Sequence, residues 1–146
     1  MNETRIFSLD AEQWQFRCSY HEIQYLDNDH NNYHIQCNNQ NKNLATPFMY
    51  YDLHKFIEAT IIFSVTIRSI ASVDNRGIRL AIGDRQHGER VKMTEYLPVG
   101  LDWQTYEVQI QEIMGGNGIR VGVYWYDHSP INIVLDGMNT TISQSY

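Results

Sequence analysis

The sequence predicts an all-β domain, built as a two-sheet antiparallel β-sandwich with little or no helix. Two observations carry this prediction. Roughly eight to ten short segments of strand-like character follow one another at intervals of about 8–12 residues, and most of them end at a turn signal. The chain of 146 residues has the length of one domain, and no repeat, linker or low-complexity segment divides it. We therefore expect residues 1–146 to form a single β-sandwich.

The first half of the chain contains several predicted strands separated by polar turns. The asparagine-rich stretch 38–43 is a loop, since Asn side chains compete with strand ladders. Residues 52–58 are ambiguous and leave room for one helical turn. The clearest strand is 60–70, in which apolar residues alternate with partly polar ones and so assign one face to the core. The strands predicted here are 16–20, 21–26, 33–37, 48–51 and 60–70.

The second half repeats this pattern more strongly. Ile78, Leu80 and Ile82 alternate with Arg79 and Ala81, and so predict a half-buried strand. Polar residues at 84–90 and glycines at 114–118 predict loops. The strands predicted here are 78–83, 91–96, 103–110, 119–126 and 131–138.

Composition excludes several classes of function. The net charge is −6 and no lysine or arginine cluster is present, which argues against a nucleic-acid partner. No apolar run approaches about 18 residues, so membrane insertion is not expected. The first residues do not have the pattern of a signal peptide. We expect the protein to act outside a cell or on a virion, as part of a larger protein or assembly.

Catalytic and metal signatures are absent from the sequence. No nucleophile elbow, zinc-protease motif or phosphate loop occurs. The His30–His34 interval lacks neighbouring cysteines, which argues against zinc. Cys18 and Cys37 both fall at inward positions of predicted strands. Free buried thiols are favoured over a disulfide, which the sequence leaves open.

The order of strands resembles that of the jelly-roll carbohydrate-binding modules of the galactose-binding-like superfamily. The stretches Trp-Gln-Thr-Tyr-Glu-Val at 103–108 and Ile-Val-Leu-Asp-Gly-Met at 133–138 carry the resemblance, which extends from about residue 60 to residue 140. It implies a jelly-roll fold and sugar binding without catalysis. It also implies that 133–138 is the final strand and pairs near the N-terminus.

The same resemblance implies a structural calcium near the chain ends, with Asp136 as a ligand. Calcium prefers oxygen ligands such as carboxylates and turn carbonyls. The N-terminal motif of the family is absent, and only Asp10 and Glu12 are present to replace it. The alternative is that Asp136 caps a turn through its own side chain.

Sugar sites combine flat aromatic rings with amide, carboxylate and guanidinium groups. In the family that the chain resembles, the ligand lies across a sheet face or in loops at one edge. Alternation places polar and aromatic side chains on the outer faces of strands 60–70, 78–83 and 119–126, and loops 84–90 and 125–128 add edge candidates. Tyr50 and Tyr51 are adjacent, so only one of them points outward if they lie in a strand. The candidate carbohydrate-binding residues are Arg68, Arg79, Asp84, His87, Arg120, Tyr124, Trp125 and Tyr126.

These observations predict a domain that binds a polysaccharide or cell-surface glycan and does not modify it. It would act as a module of an enzyme or as a host-recognition part of a phage tail or baseplate. One alternative is a structural or protein-docking sandwich without a sugar site. A second is a small jelly-roll glycan hydrolase or lyase.

Overall fold

Strands dominate the part of the chain that the computed structural model describes, which is residues 4–18, 20–26, 31–38, 48–53, 60–70, 77–84, 90–111, 118–125 and 131–145. No helix among these residues is long and apolar enough to cross a membrane. The strands are β1 Thr4–Ser8, β2 Gln15–Arg17, β3 Tyr20–Tyr25, β4 Asn32–Asn38, β5 Phe48–Leu53, β6 Thr60–Ser69, β7 Ile78–Asp84, β8 Arg90–Met93, β9 Gln104–Ile110, β10 Ile119–Trp125, β11 Ile131–Asp136 and β12 Thr141–Ser145. Two short 3-10 turns, Ala11–Gln13 and Gly137–Asn139, complete the elements.

The strands form two antiparallel sheets. One sheet has five strands in the order β2–β5–β10–β7–β8, and the other has seven, in the order β1–β12–β6–β11–β4–β3 with β9 also paired to β6. β12 and β11 pair with successive parts of β6, and residues 61–64 of β6 pair with both β12 and β9, so β9 lies along the opposite edge of β6. The predicted two-sheet antiparallel sandwich is confirmed.

The core lies between the sheets and follows the predicted alternation. In β6, Ile61, Phe63, Val65 and Ile67 are fully buried, because every second side chain of a strand points to the same face. Their partners on the other sheet are the buried residues of β7 and β10, which belong to the same hydrophobic cluster. The central members of the cluster are Ile78, Leu80, Ile82, Val121, Val123, Ile133 and Leu135.

A buried pair of polar aromatic residues is fully hydrogen-bonded within this core. Trp14 Nε1 donates to Tyr33 Oη at 2.7 Å, and Tyr33 Oη donates to the Leu9 carbonyl at 2.8 Å. Burial raises the pKa of Tyr33 above its ordinary value. The network satisfies polar atoms that would otherwise be costly inside an apolar core.

The prediction of the final strand was wrong. Residues 133–138 do not form the final strand, since β11 ends at Asp136 and pairs with β4 and β6. The two ends meet instead through β12 and β1, which pair over the whole of Thr4–Ser8. All of β1 is exposed although it contains Ile6 and Phe7, and β12 has one apolar residue, Ile142. Their apolar pattern is therefore too weak to predict them from sequence.

Other predicted elements shift by a few residues. Asp52 and Leu53 complete β5, so the ambiguous segment 52–58 begins as strand, and 54–59 lie outside the described residues. The predicted strand 91–96 ends at Met93. Cys37 is buried and Cys18 is partly buried, and both are free thiols. Burial raises the pKa of both thiols.

Candidate functional site

Three of the predicted site residues meet on the outer face of the five-stranded sheet. Arg120 and Tyr124 lie on the central strand β10, and Arg79 lies beside Tyr124 on β7. On the other side, β5 places Asp52 opposite Arg120 and Phe48 opposite Tyr124. We call this surface the arginine–tyrosine face, and define it by Phe48, Tyr50, Asp52, Arg79, Tyr96, Arg120 and Tyr124.

Arg120 is held by a carboxylate and an aromatic ring. Its Nε and Nη2 donate to the two oxygens of Asp52 at 2.7 and 3.0 Å, which is a two-point contact. Its guanidinium carbon lies 4.0 Å from the ring centroid of Tyr50. The hydrogen bonds that Arg120 donates to Asp52 raise the pKa of Arg120 above its ordinary value. A planar guanidinium fixed in this way is ordered before any ligand arrives.

Phe48 and Tyr124 form the aromatic centre of the face. Their rings are stacked, with centroids 4.6 Å apart and planes at 15°, and each has only 9% of its surface exposed. Tyr50 continues the cluster, with its centroid 5.3 Å from that of Phe48. The rings belong to a small hydrophobic cluster that is separate from the core of the sandwich. Because the rings of Phe48 and Tyr124 cover each other, each leaves only a small part of its surface to a ligand.

Arg79 borders the other side of this centre. Its Nε donates to the Thr94 carbonyl at 2.8 Å, and its guanidinium carbon lies 5.1 Å from the ring centroid of Tyr96. The isolated bridge between Ile78 and Leu97 brings Tyr96 alongside Arg79. The residue is half-buried, so its orientation is restricted while part of its surface remains accessible.

Small residues lie between these larger groups. Gly122 stands between Tyr50 and Ala81 in register, and Gly83 stands beside Arg120. A Cβ on Gly122 would come within 3.0 Å of Tyr124 Cε1, so the ring of Tyr124 occupies the space that a side chain at 122 would need. The glycine at 122 therefore lets the ring of Tyr124 lie over the sheet at the centre of the face.

The remaining predicted residues lie elsewhere. Arg68 is on the outer face of the seven-stranded sheet, 5.1 Å from the ring centroid of the exposed Trp103. Trp125 is 2% exposed and part of the core, so it offers no stacking surface, because its strand parity points it inward. Asp84 ends β7 in register with Ile119. His87 and Tyr126 lie outside the described residues.

Four members of the face were not predicted: Phe48, Asp52, Tyr50 and Tyr96. The Tyr50–Tyr51 pair did contain a signal, since only one of two adjacent residues in a strand points outward. In the structure Tyr50 belongs to the face, and Tyr51 packs against the core. Asp52 had no such signal, because its segment was ambiguous in sequence.

Asp136 does not have the surroundings of a calcium ligand. Its carboxylate accepts N–H groups from the backbone of Met138 and Asn139 and from the side chains of Asn31 and Asn139, at 2.7–3.4 Å. No group of three or more His, Cys, Asp or Glu residues in the described ranges is arranged to hold a metal. A cation needs oxygen ligands, whereas these neighbours present N–H donors. Asp136 caps the 3-10 turn that follows it.

Known proteins share the fold of this chain but little of its sequence. The sequence matches no protein-family model and no curated protein. The structure matches a family 11 carbohydrate-binding module from Clostridium thermocellum, solved in complex with a β-1,3-1,4-mixed-linked tetrasaccharide, with a TM-score of 0.59 and 13% identity over 97% of this chain and 94% of that one. It also matches the CBM22-1 xylan-binding domain of Xyn10C from Paenibacillus barcinonensis, with a TM-score of 0.61 and 13% identity over 97% and 91%.

A third match is part of a much longer protein. The enzymatically active domain of tailspike protein 4 from bacteriophage CBA120 matches with a TM-score of 0.57 and 9% identity over 99% of this chain and 19% of that one. At such identities the likeness establishes architecture only. The fold is the jelly-roll sandwich seen in carbohydrate-binding modules, as the resemblance in sequence implied.

Proposed function

We propose that this domain binds a polysaccharide without modifying it, and that the ligand lies across the arginine–tyrosine face. One observation carries the proposal: the aromatic and guanidinium groups form one connected cluster, in which Tyr124, Phe48, Tyr50, Arg120 and Asp52 each contact the next. Sugars present apolar C–H faces and polar hydroxyls, and such a cluster offers both kinds of partner.

The arrangement of acid groups supports binding over hydrolysis. Glycosidases of the common type need two carboxyl groups on opposite sides of the scissile bond. Among the described residues that define the face, Asp52 is the one carboxylate, and both of its oxygens accept hydrogen bonds from Arg120. It is thereby committed to positioning Arg120.

The fold supports the choice of ligand class. Xylan and a mixed-linked glucan fragment are the ligands named for two proteins of the same architecture. A shallow face of this kind gives affinities on the order of micromolar to millimolar Kd. Useful retention then comes from several copies acting together, or from attachment to a larger protein. We therefore propose that the domain acts as part of a larger protein, either an enzyme or a phage host-recognition assembly.

Affinity electrophoresis tests the proposal. The wild-type protein is run through gels containing mixed-linkage β-glucan, xylan, a polyuronate or no polysaccharide, and retardation is measured. We expect at least one polymer to retard the wild type, and Tyr124→Ala to abolish that retardation. Trp103→Ala, which removes an exposed ring from the other sheet, is the control and should keep it. If no polymer retards the wild-type protein, even when the protein is made multivalent, the proposed sugar-binding function is contradicted.

A further inference from the structure

Arg79 and Arg120 differ in what their guanidinium groups bind. The guanidinium of Arg120 faces a carboxylate at two points, so its charge is neutralised locally. Arg79 has no carboxylate partner among the described residues. Within the described ranges its Nε is the one guanidinium nitrogen that is hydrogen-bonded, to the neutral Thr94 carbonyl, and its guanidinium carbon lies 5.1 Å from the ring centroid of Tyr96. Its two terminal nitrogens thus keep their N–H donors for an external acceptor, and the group is already oriented.

A second arginine stands in the same transverse row. Register pairs Arg17 of β2 with Phe48, Phe48 with Tyr124, and Tyr124 with Arg79. Three strand intervals of about 4.8 Å each separate the two arginines, which is about 14 Å. Arg17 is exposed. The aromatic centre of the face is therefore flanked by a cation on each side, along a line that crosses the strands.

The charge of this row differs from that of the whole chain. The chain carries 17 acidic and 11 basic residues, for a net charge of −6. On the arginine–tyrosine face together with Arg17, the described ionised groups are three arginines and Asp52. Among these groups Asp52 pairs with Arg120, so Arg79 and Arg17 leave a local excess of positive charge on an acidic protein, which favours an anionic ligand.

We propose that the polysaccharide recognised by this face is acidic, with uronic acid carboxylates that bind Arg79 and Arg17. This inference rests on the proposed function and specifies its ligand class. A carboxylate is planar and accepts two parallel N–H bonds from a guanidinium, which a neutral hydroxyl does not. A polymer whose acid groups recur along its length reaches both arginines while its sugar rings cover Phe48 and Tyr124.

The test compares one polymer in two chemical forms. Binding is measured by calorimetry with polygalacturonate and with the same polymer after its carboxyl groups have been reduced to primary alcohols. We expect reduction to weaken binding by about tenfold or more, the amount typical of one charge-assisted contact. We also expect higher salt to weaken binding to the acidic form only. The xylan and mixed-linkage β-glucan gels described above serve as neutral references.

Matched variants assign the effect to the face. Arg79→Gln should weaken binding to polygalacturonate by about tenfold and should weaken binding to the reduced polymer by a smaller factor. Arg79→Lys keeps the charge but not the planar fork, and should be intermediate. Arg68→Gln is the control, because Arg68 also lies against an aromatic ring but on the opposite sheet. Thermal unfolding of each variant verifies that it is folded.

The outcomes separate this inference from the proposed function. Equal binding to both forms, or tighter binding to a neutral polysaccharide, would overturn the acidic ligand and leave the sugar-binding face in place. Binding to a sulfated galactan but not to polygalacturonate would overturn the carboxylate assignment. An equal loss in Arg79→Gln and Arg68→Gln would show a general charge effect and overturn the role of Arg79. Binding to no polysaccharide at all would end both proposals.

Discussion

The outer faces of the two sheets have similar alternation in sequence but different chemistry. The five-stranded sheet presents rings and guanidinium groups that contact one another, with Tyr124 and Phe48 at the centre. The seven-stranded sheet presents a mixture of side chains that includes short hydroxyl groups, such as Ser64 beside Thr141 and Thr66 beside Thr105. In the described part of this face, an aromatic ring is contacted by a cation where Arg68 lies 5.1 Å from the centroid of Trp103.

This difference shows what a binding face needs beyond exposure. Short hydroxyl side chains on a sheet satisfy one another, as Thr66 Oγ1 and Thr105 Oγ1 do at 2.8 Å, and they offer a ligand little apolar area. Large planar groups that hold each other in place offer area without losing much rotamer entropy on binding. We therefore expect substitutions on the two faces to differ in their effects on stability and on polysaccharide binding.

The largest effect is expected for Tyr124→Ala. The ring is 91% buried by Phe48 and its neighbours, since 9% of its surface is exposed. We expect the substitution to lower the free energy of unfolding by about 3 kcal/mol and to abolish polysaccharide binding. Urea denaturation and affinity electrophoresis measure the two effects. Tyr124→Phe keeps the stacked ring and should keep most of the stability, so an equal loss in that variant would contradict a role for stacking.

The Asp52–Arg120 pair should show strong coupling in a double-mutant cycle. Asp52→Ala, Arg120→Ala and the double variant are compared by urea denaturation. Because the contact is bidentate and partly buried, we expect a coupling free energy of about 1–2 kcal/mol. The matched cycle on the other face, with Thr66→Val and Thr105→Val, should give about 0.5 kcal/mol. Equal couplings would mean that the two faces are organised alike.

The sequence was sufficient to predict strand parity but not strand neighbours. Alternation around Val121 and Val123 correctly placed Arg120 and Tyr124 on an outer face, because side-chain direction depends only on position in the strand. The same rule correctly placed Arg68 on an outer face. Alternation could not show that Arg68 lies on a different sheet from Arg120 and Tyr124. The sheet to which a strand belongs depends on long-range pairing, which the local pattern does not encode.

The partners of the predicted residues were missed for the same reason. Asp52 binds a residue 68 positions away, and only the antiparallel register of β5 with β10 brings them together. The terminal strands β1 and β12 were missed because each has five residues and neither shows an apolar face: all of β1 is exposed, and the buried positions of β12 are Ile142 and the polar Gln144. Because β12 follows Asp136 and pairs with β1, β12 is the last strand in place of the predicted 133–138.

Asp136 is the last residue of β11. We expect Asp136→Ala to lower the free energy of unfolding by about 1 kcal/mol. The carboxylate accepts the backbone N–H groups of Met138 and Asn139, and the variant leaves them without this acceptor. Because the role is that of a cap, the thermal midpoint of the wild type should be the same in calcium and in EDTA. A midpoint that rises with calcium in the wild type but not in Asp136→Ala would contradict the cap and restore the metal site.

The smallest effect is expected for Trp103→Ala, and it completes the comparison of the two faces. Trp103 is 42% exposed and its one described ring contact is with Arg68 at 5.1 Å, so little burial is lost. Exposed cation–π contacts contribute about 0.5–1 kcal/mol, and we expect a loss of unfolding free energy in that range. Polysaccharide affinity should stay within about twofold of the wild type, which corresponds to about 0.4 kcal/mol. A tenfold loss of affinity would mean that the ligand also contacts the seven-stranded sheet. The binding site would then include Arg68 and Trp103 as well as the arginine–tyrosine face.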